Sequence, residues 1–136
     1  MIKSMAIVFF IGFSLIIFWG WLIVMPNTTY SDKDTFKYYA LTYKEIRNAP
    51  RLSSHYYFEY DPGDEASPQS STMYSCELNN IDESYQRLVS YVMKTGVPLR
   101  KGYSLNDVNY KEYFEIVKVK IIYDECLTLS FSKESN

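Results

Sequence analysis

Few residues in this chain have the chemistry to make or break bonds, and most of them gather in one stretch. His55 is the only histidine, so any imidazole base must be this ring. Cys76 and Cys126 are the two cysteines, while Glu59, Asp61, Asp64 and Glu65 form an acidic group around Pro62-Gly63. A Cys–His dyad needs a thiol that stays reduced. An even pair in a small outward-facing domain is more simply a disulfide, Cys76 to Cys126. It closes a loop of about 50 residues and is worth on the order of 4 kcal/mol in the chain-entropy account. Zinc needs four ligands in closely spaced pairs, which one histidine and two distant cysteines do not supply. The four acids depart from the spacing of a calcium loop and read as a solvated turn that can steer a basic partner. There is no G-x-S-x-G, phosphate loop or dinucleotide fingerprint. The expectation is a binding protein and not an enzyme, with no metal and no cofactor.

The hydrophobic run from Ala6 to Met25 places those residues in a compartment. Ser14 is its single polar side chain, and Pro26 ends it. As a helix it would cover the roughly 30 Å of a bilayer core. Trp19 and Trp21 lie towards its far end, where indole rings favour the interface. The run is longer than a signal-peptide core and lacks an A-x-A site, so an uncleaved anchor is preferred to a cleaved signal. Lys3 precedes it and the next basic residue is Lys33. The positive-inside rule therefore puts the amino end in the cytoplasm and the rest outside. The expected layout is an anchor at 1–26, a tether at 27–33 and a globular domain at 34–136. The expected location is the bacterial inner membrane, with residues 6–25 in the lipid bilayer and the domain in the periplasm. Asn27-Thr28-Thr29 matches a glycosylation sequon but reads as linker.

After residue 26 the chain carries all 16 acids, 13 of the 14 bases and all 14 tyrosines. That formal −3 argues against nucleic acid, which requires clustered Lys and Arg. Tyrosine suits half-buried strands and is also enriched at protein interfaces.

Alternation gives strands at His55–Tyr60, with Tyr56, Phe58 and Tyr60 on one face, and at Thr72–Leu78. Residues 34–47 have both helical spacing and strand formers; the strand reading is preferred. Ile81–Thr95 is the clearest helix: Ile81, Tyr85, Leu88, Val89 and Val92 form one stripe, capped by Asn80 and ended by Gly96 and Pro98. Val97–Glu112 reads as connection, with a short turn after Ser104. Two last strands should pair Ile121 with Leu127, Val119 with Leu129 and Val117 with Phe131 across a Tyr123–Glu125 loop, because this puts apolar side chains together. The fold class expected is α+β: an N-terminal transmembrane helix, then an antiparallel sheet of four or five strands packed with one amphipathic helix.

For function, the domain is expected to grip another protein through Tyr57, Glu59, Asp61, Asp64 and Glu65. The preferred role is an immunity protein that neutralises an antibacterial toxin. The alternatives are an accessory subunit that stabilises a membrane-bound sensor or regulator, with an apolar ligand in a curled sheet, and a secreted binding domain.

Overall fold

A computed structural model describes residues 2–23, 27–65, 67–100 and 111–134, with side chains in the first helix described from Phe10 to Gly20. The elements run α1 (Ile2–Ile23), β1 (Thr28–Tyr30), α2 (Thr35–Leu41), α3 (Lys44–Arg47), β2 (His55–Asp61), β3 (Gln69–Cys76), α4 (Ile81–Thr95), β4 (Leu99–Arg100), β5 (Glu112–Ile121) and β6 (Asp124–Lys133). The strands form one sheet in the order β1-β2-β3-β6-β5-β4. Every pairing is antiparallel except β4 with β5. The sheet is therefore mixed and six-stranded, which corrects the expectation of four or five antiparallel strands. The extra strands are the short edges. β1 lies in the stretch read as a tether, and β4 follows the helix too closely to show a period of its own.

The expected transmembrane span also needs correction. Among the described residues no helix is long and apolar enough to cross a membrane. Ala6 and Trp21 lie outside the described side chains, and Met25 lies outside the described residues. Trp19 is exposed. The turn expected after Ser104 falls outside the described residues.

The preferred strand at 34–47 is two helices. Asp34 caps α2, its carboxylate accepting from Lys37 N–H, and a break at Thr42 leads into α3. Arg51 holds the break: its guanidinium donates to the carbonyls of Ile46, Ala49 and Arg47 and to the Tyr38 hydroxyl, and it covers the Tyr56 and Phe58 rings. Helix spacing wins because Tyr38, Leu41, Tyr43 and Ile46 then all turn towards the core. Helix α4 matches its expected bounds. Asn80 accepts from the N–H groups of Asp82 and Glu83, and Gly96 exits at φ +76°, a region that favours glycine.

The core lies between α2–α4 and one face of the sheet. Phe58, Met73, Leu127, Leu129, Phe131 and Phe114 face Ile46, Leu88 and Val92 there. Phe114 against Phe131 fixes the final hairpin, whose observed register differs from the expected one. Phe114 pairs with Phe131, Ile116 with Leu129 and Val117 with Thr128, across a two-residue turn of Ile122 and Tyr123. This register is displaced by three residues, an odd number, so Val117, Val119 and Ile121 turn away from the core. The strand starts at Glu112, within the stretch read as connection, and Phe114 and Ile116 are its real core residues.

Candidate functional site

The face of the sheet opposite the helices is uncovered by any other described element, and register alone determines what it displays. Side chains alternate along a strand, and neighbours across strands stand about 4.8 Å apart. One row reads Tyr57 (β2), Tyr74 (β3), Thr128 (β6), Val117 (β5); the next reads Glu59, Thr72, Ser130, Glu115; a third reads Asp61, Ser70, Ser132, Tyr113. The two central strands carry short hydroxyl side chains in the second and third rows. Thr72 and Ser130 bond to each other through their hydroxyls at 2.7 Å. The middle of the face is thus a floor below taller flanks: Thr128 and Ser132 are buried there, and the Thr128 hydroxyl donates to the Val117 carbonyl. On the β2 side, the Tyr57 and Tyr74 rings lie parallel, 4.6 Å apart with 5° between planes. The Tyr74 hydroxyl donates to Glu59 Oε2 at 2.7 Å. Burial, and then the bond to Glu59, raise the Tyr74 pKa above its ordinary value, while burial followed by the Glu59 charge raises that of Tyr57. On the β5 side, Val117 is 41% exposed and continues through Val119 and Ile121 to the turn, where Ile122 and Tyr123 are 81% and 92% exposed. Ile122 sits at φ +56°, an unusual conformation for a β-branched residue.

The expected partner surface is divided by this geometry. Tyr57 and Glu59 stand together on the open face, as alternation placed them. Asp61 accepts from Gly63 N–H at 2.8 Å, and Asp64 accepts from the Ser67 N–H and hydroxyl, both at 2.8 Å. Those two carboxylates shape the loop, and Glu65 is exposed beside them. Tyr74, Thr72, Ser130 and Val117 were not singled out by sequence reasoning. Their signal was the alternation of small hydroxyl residues at 70 and 72 and at 128, 130 and 132, which only a correct register brings side by side.

The cysteines do what their number and spacing suggest. Cys76 and Cys126 are disulfide-bonded, with Cα atoms 4.2 Å apart on adjacent strands β3 and β6. That bond removes both thiols from a dyad with His55. His55 instead holds Glu77 Oε2 through Nδ1 at 2.8 Å, and the Ser54 hydroxyl approaches the same nitrogen at 3.4 Å. A serine–histidine–acid relay uses both ring nitrogens, one for each partner; here both partners share one. The pair is 63% and 55% exposed and lines a polar cleft of about 420 Å³ with Ser53, Asn79 and Arg87. Among the described residues no group of three His, Cys, Asp or Glu side chains is placed to hold a metal ion.

Comparison with protein-family models, with curated proteins and with solved structures finds no match to this chain.

Proposed function

We propose that this protein is a binding module that captures another protein on the open face of its sheet. One observation supports this above the others. A row running Tyr57, Tyr74, Thr128 and Val117 puts two large rings and an aliphatic side chain on a surface that no other described element covers. Aromatic side chains over a hydroxyl-lined floor suit protein interfaces, because rings bring contact area at little conformational cost and hydroxyls adapt their hydrogen bonds. The disulfide suits a compartment outside the reducing cytosol. The role proposed for such a module is neutralisation of an antibacterial toxin by occluding it, which demands affinity alone.

Placing a long charged side chain on the floor tests the reading. Ser130→Arg should leave the helical face and its melting temperature nearly unchanged, since Ser130 points away from the core. Cells expressing the native chain should survive a toxin encoded beside it, and cells expressing the variant should die. Equal survival with both would remove the open face from the function; death with both would remove the toxin-neutralising role.

A further inference from the structure

We infer that the Tyr57–Tyr74–Glu59 unit is a subsite for an arginine side chain presented by the partner. This rests on the open face being the binding surface and names what it recognises. Three observations converge. First, Glu59 is half-buried, yet among the described residues no Lys or Arg pairs with it; its one side-chain hydrogen bond is the one received from Tyr74 at Oε2. A part-buried carboxylate without a counter-ion is costly, and a cation supplied by a partner relieves that cost. Second, the Tyr57 and Tyr74 rings are stacked parallel beside that carboxylate and carry no cation among the described residues. β1 pairs only with Phe58, Glu59 and Tyr60, so its pairing stops short of Tyr57 and leaves that side of the row without a neighbouring strand. Third, elsewhere this chain places guanidinium groups over aromatic rings. Arg47 lies 5.2 Å from the centre of Tyr39, Arg51 lies 5.1 Å from Phe58, and Arg100 lies 5.2 Å from Tyr113. A planar guanidinium can stack on a ring and bond a carboxylate at the same time, whereas an ammonium cannot present such a fork. The same hydrogen bond that engages Oε2 fixes the Tyr74 ring and leaves Oε1 to receive a donor.

The test uses full-length protein, isotope-labelled for NMR and titrated with N-acetyl-arginine amide and with its neutral citrulline counterpart. Shifts should centre on Tyr57, Glu59, Thr72 and Tyr74 with the arginine probe, and citrulline should leave them unmoved. Glu59→Gln should weaken the arginine probe about tenfold, as expected for loss of one charge-assisted contact. Tyr57→Leu should weaken it as well while preserving apolar area, so the test survives if one variant folds poorly. Shifts centred on Asp64 and Glu65, equal response to citrulline, or unchanged affinity in both variants would overturn the subsite. If toxin protection withstands Glu59→Gln but not Ser130→Arg, the arginine subsite falls and the open-face reading stands. If it withstands both, the open-face reading falls.

Discussion

The two faces of this sheet use the same strands for opposite purposes. Alternate residues of β3 show the difference: Ser71, Met73 and Ser75 are fully buried beneath the helices, while Ser70, Thr72 and Tyr74 stand half-exposed on the other side. Strand β2 repeats it, with Phe58 buried between Tyr57 and Glu59. The covered face packs large apolar side chains against α3 and α4 and carries most of the stability. The open face instead displays aromatic area, a carboxylate and a strained turn, and one row beyond Tyr57 it carries the Cys76–Cys126 bond. Elements whose removal would hardly disturb the fold, yet which are held in defined geometry, are the ones expected to meet a partner.

The comparison can be broken at several points. The largest effect is expected on the covered face: Phe58→Ala should cost about 3–5 kcal/mol by cavity formation, whereas Thr72→Ala on the open face should cost under about 1 kcal/mol. Denaturant midpoints for the two variants check this, and comparable losses would erase the distinction. Next, replacing Cys76 and Cys126 by Ser removes a link across 50 residues and should cost about 4 kcal/mol at most, read as a drop in melting temperature. Arg51→Met keeps volume but strips the bonds that hold α2 and α3; a loss of about 2 kcal/mol is expected, with unchanged partner binding.

A smaller effect has the opposite sign. Ile122→Gly relieves the positive φ at the hairpin turn and should stabilise the domain by about 1 kcal/mol. If the exposed turn belongs to the interface, the same variant should bind the partner less well.

The smallest effect concerns pH. Burial and the bond to Glu59 hold the Tyr74 hydroxyl protonated in the folded state above its ordinary pKa. Its contribution is fully present below pH about 10 and is lost as pH rises through the folded value. Tyrosinate absorbance should show a late-titrating component, to which Tyr57 also contributes, and its amplitude should fall in Tyr74→Phe. Stability of that variant should fall less steeply in alkali.

How far the sequence foretold these two faces depended on whether a signal was local. Helix α4 was legible to the residue because its stripe, Asn80 and Gly96 all lie within seventeen positions of one another. The alternation in β2 was legible for the same reason, so Phe58 fell on one face and Tyr57 with Glu59 on the other. The disulfide followed from two cysteines and no other partner. The helices at Thr35–Arg47 were misread because tyrosine-rich segments satisfy both periods, and the choice was made by tertiary contacts, with Arg51 joining both helices. The last hairpin was misregistered because Val117, Val119 and Ile121 looked like core. Apolar pattern alone cannot tell a core stripe from a displayed one; Phe114, five positions before Val119, settles it by pairing with Phe131. The transmembrane reading rested on the apolar run, the tryptophans towards its far end and the lack of a cleavage site, and among the described residues no helix is long and apolar enough to cross a membrane. The row of Tyr57, Tyr74, Thr128 and Val117 escaped sequence reasoning beyond Tyr57, because its four members come from four strands.

Site-specific photo-crosslinking tests the division between the faces most directly. A photoreactive residue placed at Thr72 in the full-length chain, in its native cells, should yield a defined adduct with one partner protein. The same residue at Ser90, on helix α4, should yield none. Adducts formed from Ser90 and not from Thr72 would contradict the assignment of recognition to the open face.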